Sequence, residues 1–245
     1  MTETTGQPLQ GRPLDGQIAL VTGASRGFGA AIAVRLAGAG AHVVCAARTV
    51  GGLEQTDDAI KAVGGSATLV PMDLSKFEQI DLLGGSLAQR FGKLDILVGS
   101  AAMLGHLGPV AYSDAKVWGQ VLDLNLTANY RLIRSADALL RAATAPRAVF
   151  VTDRIARTGI AYWNAYAVAK AGLDTLAGLY AAETAKTELR VALFHPGPMT
   201  SRLREQGFPG EPQGSQPAPD DAAGRLLAHL LSGDGLAAGK VADWD

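Results

Sequence analysis

The sequence predicts a single α/β domain, a doubly wound, mostly parallel sheet of seven strands with helices on both faces. Three observations predict it. Short apolar runs alternate with longer segments of helical period, a glycine-rich turn joins the first run to the first helix, and 245 residues suit one undivided α/β core. Apolar residues at 48% and charged residues at 18% supply that core and exclude bulk disorder.

The strands fall at Ile18 to Thr22, Ala41 to Ala47, Thr68 to Met72, Leu94 to Gly99, Ala148 to Thr152, Arg190 to Phe194 and, more weakly, Lys240 to Asp243. Most are near-continuous runs of Val, Ile, Leu, Ala and Phe, as strands buried on both faces require. Helical periodicity covers Gly27 to Ala39, Leu53 to Val63, Lys76 to Phe91, Asp114 to Ala143 and Trp163 to Thr187, with Asp, Ser or Asn near several starts. The segment Gln206 to Pro219 holds four prolines and three glycines, which excludes a regular element and reads as a lid-like loop. Asp220 and Asp221 then open a short amphipathic helix through Leu230. Met1 to Gly16 is polar and lacks the basic and apolar regions of a secretory signal, so residues 1–14 read as a flexible tail on a single domain spanning 1–245.

Charge and cysteine content narrow the function. Lys+Arg at 22 against Asp+Glu at 23 gives a net charge of -1, without the basic excess of a nucleic-acid surface. No run approaches the length of apolar sequence that spans a bilayer, so no membrane is expected. Cys45 is the single cysteine, which excludes an intramolecular disulfide and a Cys-based metal cluster and fits the reducing cytoplasm. His42 and His229 have no ligand-like neighbours in sequence, and no metal site is expected.

After the first strand comes Thr22-Gly23-Ala24-Ser25-Arg26-Gly27-Phe28-Gly29, leading into an apolar helix. Glycines let the backbone turn tightly and approach a pyrophosphate, while free N–H groups and the helix dipole favour the anion. Position between a strand and a helix favours cofactor binding over a purely steric turn. Further on, Tyr166 and Lys170 lie four apart on a predicted helix and project from one face. A phenol ionises near pH 10, and a neighbouring ammonium favours the phenolate, which lets Tyr166 exchange a proton with a substrate oxygen.

These motifs resemble the short-chain dehydrogenase/reductase family in its single-domain, Rossmann-type form, over nearly the whole chain. The family's Thr-Gly-x-x-x-Gly-x-Gly turn is matched by Thr22, Gly23, Gly27 and Gly29, and its Tyr-x-x-x-Lys pair by Tyr166 and Lys170. Its helical Asn matches Asn125, its Asp-Leu after the third strand Asp73-Leu74, and its Pro-Gly after the sixth strand Pro196-Gly197. The resemblance implies that Ser25 and Arg26 belong to the phosphate turn and that Asp73 faces adenine. It also implies that Lys170 holds the nicotinamide ribose, that Asn125 holds a relay water and that Ser201 reaches the carboxamide. The family's Asn-Asn-Ala-Gly becomes Gly99-Ser100-Ala101-Ala102, which places Ser100 in the cofactor wall.

No acidic residue ends the second strand, where Ala47 leaves room and Arg48 can pair with a 2′-phosphate, with Arg26 as a second cation. NADP(H) is therefore favoured over NAD(H). The family resemblance further implies a homo-oligomer, a dimer or tetramer, through the helices bearing Asn125 and Tyr166.

One departure touches the chemistry. Thirteen residues before its Tyr the family carries a Ser that hydrogen-bonds the substrate oxygen, and that position is Asp153. Thr152 is one residue earlier and should face the opposite side of the strand. Asp153 reads in three ways: protonated by burial and acting as donor, neutralised by Arg154 or Arg157, or disabling. His106 and His195 sit at strand ends where such sheets bind ligands, and Tyr162, Trp163 and Phe208 read either as pocket lining or as ordinary core or subunit contacts. The expected function is an NADP(H)-dependent oxidoreductase that transfers a hydride between nicotinamide and a small carbonyl or alcohol. The alternatives are a non-catalytic NADP-binding sensor disarmed by Asp153, and a lyase or isomerase using the Tyr-Lys pair.

Overall fold

The computed structural model describes residues 11–245. Seven strands, β1 (Ile18–Thr22), β2 (His42–Ala47), β3 (Ser66–Pro71), β4 (Ile96–Gly99), β5 (Arg147–Val151), β6 (Arg190–Phe194) and β7 (Val241–Trp244), form one sheet in the order β3-β2-β1-β4-β5-β6-β7. Every neighbouring pair is parallel, so the sheet is wholly rather than mostly parallel.

The helices are α1 (Gly27–Gly38), α2 (Val50–Ala62), α3 (Phe77–Phe91), α4 (Ala115–Leu122), α5 (Ala128–Arg141), α6 (Asn164–Glu183), α7 (Arg202–Gly207) and α8 (Pro219–Ser232). Alternation along the strands sorts them into two layers. Val21, Val43, Val98 and Phe194 face one way and pack with α1, α2 and α8, while Leu20, Val44, Leu97 and Phe150 face the other and pack with α3, α5 and α6. Because β1 lies between β2 and β4, the chain reverses direction across the sheet there, and a crevice opens over the carboxyl ends of the strands.

Three sequence expectations are corrected. Residues 1–10 of the expected tail lie outside the described residues, but its end is not tail-like: Leu14 is buried in the core and its N–H donates to the Ala39 carbonyl at 2.9 Å. The helix expected over Asp114 to Ala143 is broken by a π turn at Asp123–Thr127. Within it the buried Asn125 amide bonds the Met103 backbone in both directions, which draws the helix out of regular register. The expected loop from Gln206 starts later, since Gln206 and Gly207 complete α7, and Glu211 anchors its first half through Arg204 and Gln216. No helix among the described residues is long and apolar enough to cross a membrane.

Candidate active site

A cleft of about 1520 Å³ runs along the carboxyl ends of the strands, from the β1–α1 turn to α7. Its first half is shaped for an anion. The α1 N-terminus begins at Arg26, whose side chain makes no capping hydrogen bond, and the first turn carries no acid. The early N–H groups of the helix therefore lack a side-chain acceptor of the usual kind. Glycine is obligatory around them. A Cβ on Gly29 would lie 2.3 Å from the Gly23 carbonyl oxygen, and one on Gly23, at φ +69°, would lie 2.9 Å from the Ala101 Cα. Gly27, at φ +54°, has nothing within 4 Å of its Cβ position and opens onto the cleft.

Ser25, Arg26, Ala47 and Arg48 line this end, with Ser100, Pro196, Gly197 and Ser201 further along. These residues fit a dinucleotide: a cradle that any Cβ would fill, free helix N–H groups, and two exposed cations near the end of β2. Thr22 is not part of the lining. It is buried behind the turn, donating to the Val98 carbonyl at 3.4 Å and accepting from the Ser100 and Ala101 N–H groups at 3.1 and 3.3 Å. The Ser100 hydroxyl donates back to the Thr22 carbonyl, so this pair ties β1 to the end of β4. Asp73 also stands outside the lining, between Met72 and Leu74 which belong to it, and its carboxylate accepts from the Ser75 N–H and hydroxyl at 3.0 and 2.8 Å. Ser201 lines the cleft, and its hydroxyl accepts from the Arg204 N–H to start α7.

The second half brings together Asp153, Tyr166 and Lys170. Tyr166 and Lys170, buried side by side on α6, are 4% and 3% exposed. The Lys170 ammonium donates to the Val151 carbonyl at 2.7 Å and sits 5.7 Å from the Tyr166 ring centre. Asp153 follows β5 and starts a short 3-10 turn: its Oδ1 accepts from the Ile155 N–H at 3.0 Å and its Oδ2 accepts from the Tyr166 hydroxyl at 3.3 Å. Burial and then the Asp153 charge push the Tyr166 phenol well above its usual range. Burial lowers Lys170 to about 8 against the opposing charges of Asp153 and Asp174. The expectation that the ammonium makes Tyr166 titrate near neutrality is thus reversed, because desolvation and a like charge outweigh it.

Neither arginine neutralises Asp153. Arg154 pairs with Asp245, and Arg157 pairs with Asp174 at 3.0 Å and Asp243 at 2.6 Å. Thr152 turns to the other face and bonds Asp174. Asn125 is buried next to the site, and its side-chain amide bonds the Met103 backbone, accepting from the N–H at 2.9 Å and donating to the carbonyl at 2.8 Å.

His195 and His106 both line the cleft. His195 is buried, with Nε2 bonded to Asp243 at 2.6 Å and Nδ1 lacking a partner. His42 bonds Ser66 and Thr68, both at 2.8 Å, and His229 stacks on Trp244. Trp163 and Phe208 line the pocket, each pair of rings in the series Tyr166, Trp163, Phe208 lying 5.9 Å apart, whereas Tyr162 is exposed and outside it. Two groups escape sequence reasoning. Arg204 stacks on Phe208 at 3.7 Å while binding Glu211 through two 2.8 Å hydrogen bonds, and Asp174 and Asp243 brace the turn after Asp153. No local pattern marks either, because the partners of Arg157 are contributed by α6 and β7.

The family model for short chain dehydrogenases matches residues 17–211. Ketoacyl reductase HetN of Nostoc sp. is 32% identical over 184 residues, 75% of this chain, and glycine betaine reductase ATRR of Emericella nidulans is 27% identical over 242. The chain spans only 64% and 19% of the lengths of those two relatives. Oxidoreductase YciK of Escherichia coli is 30% identical over 201 residues, 81% of this chain and 79% of that protein. Its solved structure superposes with a TM-score of 0.88 at 29% identity, covering 97% of this chain and 98% of that one. A metagenomic short-chain oxidoreductase solved with NADP superposes with a TM-score of 0.79 at 30% identity, covering 95% and 96%.

Proposed function

The chain belongs to the short-chain dehydrogenase family of oxidoreductases, and on that premise we propose that it is an NADP(H)-dependent enzyme exchanging a hydride with a small carbonyl or alcohol, or a related polarised double bond. The observation that carries the reading is the convergence of Asp153, Tyr166 and Lys170 in one cleft with a glycine turn and the open N-terminus of α1.

Nicotinamide, when bound, supplies or takes up the hydride. The chain's own residues do the rest. The α1 N-terminus with Gly23, Gly27 and Gly29 takes the pyrophosphate, and Arg48 and Arg26 take the 2′-phosphate. Lys170, held by the Val151 carbonyl, retains donors for the ribose. Tyr166 carries the exchangeable proton, and its hydroxyl already points at the substrate-polarising position occupied by Asp153. The NADP-complexed relative supports NADP(H), because that protein was solved with NADP on a superposable frame. A homo-oligomer is part of the same reading: Tyr130, Val168 and Leu179 are exposed apolar side chains on α5 and α6.

The test is NADPH oxidation across a panel of aldehydes, ketones, diketones and quinones, with Tyr166→Phe alongside. The expected result is turnover that Tyr166→Phe lowers by a factor of roughly a hundred or more while NADPH still binds. Turnover unaffected by Tyr166→Phe overturns the assignment. A lyase or isomerase would consume substrate without net change in the nicotinamide spectrum.

A further inference from the structure

Resting on the hydride-transfer reading above, we propose that Asp153 makes this pocket selective for a positively charged C=N electrophile, a protonated imine, over a neutral carbonyl. A carbonyl oxygen gaining negative charge needs hydrogen-bond donors. Asp153 offers two acceptor oxygens, one on the Ile155 N–H and one toward Tyr166, and opposes that charge. A protonated imine presents the complement, an N–H donor bearing positive charge.

The surrounding cations feel the Asp153 charge, Lys170 and Arg204 among them, but their hydrogen bonds go elsewhere. On its own turn Arg154 is taken by Asp245 and Arg157 by Asp174 and Asp243; on α7 Arg204 is taken by Glu211; on α6 the Lys170 ammonium donates to the Val151 carbonyl. No ion pair of 4 Å or less among the described residues includes Asp153. The wall beside it is aromatic. Trp163 stands 5.9 Å from both Tyr166 and Phe208, and the guanidinium of Arg204 lies 3.7 Å over the Phe208 ring, so this wall already carries one cation on an aromatic face. A carboxylate with aromatic rings beside it is the chemistry that recognises an organic cation.

The reaction balances without a proton donor at the Asp153 position. The iminium carbon gains the hydride, the C=N π pair becomes the nitrogen lone pair, the reduced nicotinamide ends oxidised, and the amine takes its further proton from water. In this scheme Asp153 holds the substrate nitrogen in its protonated, electrophilic form.

The test uses the full chain with 3,4-dihydroisoquinoline and its carbonyl counterpart 1-tetralone as NADPH-dependent substrates. Calorimetric titration with 1,2,3,4-tetrahydroisoquinolinium, with and without NADP+, gives a readout independent of turnover. Comparing the imine-to-ketone ratio of kcat/KM between variants cancels intrinsic reactivity. Asp153→Ser is expected to shift that ratio toward the ketone, and Asp153→Asn to weaken ammonium binding, each by roughly tenfold to a hundredfold, while NADP+ affinity reports that both variants fold. A ratio unmoved by Asp153→Ser, or ammonium affinity unmoved by Asp153→Asn, overturns the inference. If neither wild type nor Asp153→Ser oxidises NADPH with either probe, the hydride-transfer reading fails instead, and the ammonium titration still decides whether Asp153 holds a cation.

Discussion

The Tyr166 hydroxyl donates to Oδ2 of Asp153 at 3.3 Å, so the residue proposed to carry the exchangeable proton is hydrogen-bonded to a carboxyl oxygen at the position where the sequence resemblance implies a hydroxyl. This contact stabilises the neutral phenol twice over, through the hydrogen bond and through the negative charge beside it. Burial contributes more than either.

Replacing Asp153 with Ser should therefore lower the Tyr166 ionisation point without restoring an ordinary phenol, because the burial remains. Ultraviolet difference titration of tyrosinate is the check. One tyrosine should move to lower pH in Asp153→Ser while Tyr180, raised by its own burial and by its bond to Asp137, stays in place. Ketone reduction should rise in the same variant: a carboxylate about 4 Å from a developing alkoxide opposes it by roughly 4 kcal/mol at an effective dielectric of 20. An unchanged titration would show that the carboxylate does not act on the phenol.

Lys170 gives a pH dependence whose sign can be worked out. Its folded value, lowered to about 8 from the ordinary 10.5, means that between these pH values the unfolded chain binds the proton and the folded chain does not. Stability from this group rises with pH through that window, by about 2 to 3 kcal/mol. Above about pH 10 the raised phenols of Tyr166 and Tyr180 work the other way, since the unfolded chain then loses protons that the folded one keeps. Chemical denaturation of wild type and Lys170→Met from pH 7 to pH 10 isolates the lysine. The difference between them should shift steadily in favour of wild type as pH rises, and a constant difference would refute the lowered value.

The glycine turn separates two costs. Gly29→Ala puts a Cβ 2.3 Å from a backbone carbonyl oxygen, which no side-chain adjustment relieves, whereas Gly27→Ala has open space and meets only the strain of φ +54°. Gly29→Ala should destabilise the fold by about 1 to 3 kcal/mol and abolish tight NADP+ binding. Gly27→Ala should lose about 1 kcal/mol and weaken NADP+ chiefly because its new methyl projects into the cleft. Thermal unfolding with parallel NADP+ titration distinguishes them.

How much of this was legible in the sequence follows from the range of the interactions involved. Strand β6 at Arg190–Phe194 and the start of α1 at Gly27 agree with their periodicity and glycine pattern because burial on both faces writes itself locally. The π turn at Asn125 was hidden because its cause, the Met103 backbone, lies 22 residues away. Leu14 looked like tail because one apolar residue in a polar segment has no period. Pairing of Asp153 with Arg154 or Arg157 is one of three readings the sequence leaves open, because the acceptors these arginines take lie 17 to 91 residues away, on α6, on β7 and beyond it.

Cofactor choice should turn on Arg48. It lines the cleft just past β2, is solvent-exposed, and follows Ala47, which is too small to block a phosphate and has no carboxylate to bind a ribose hydroxyl. Arg26 lines the same end from the neighbouring turn, so removing one cation leaves the other. Arg48→Ala should weaken NADP+ by roughly tenfold to a hundredfold, the range of one hydrogen bond to a charged group, and leave NAD+ nearly unchanged. Arg48→Ala with Arg26→Ala should remove most of the remaining preference. Placing an acid at Ala47 should go further, repelling the 2′-phosphate and accepting from a 2′-hydroxyl, so that Ala47→Asp with Arg48→Ala prefers NAD+. Fluorescence titration of both reduced cofactors against these variants is the measurement. Equal loss of NADPH and NADH affinity in Arg48→Ala would mean that this arginine contacts the shared pyrophosphate or adenine rather than the 2′-phosphate.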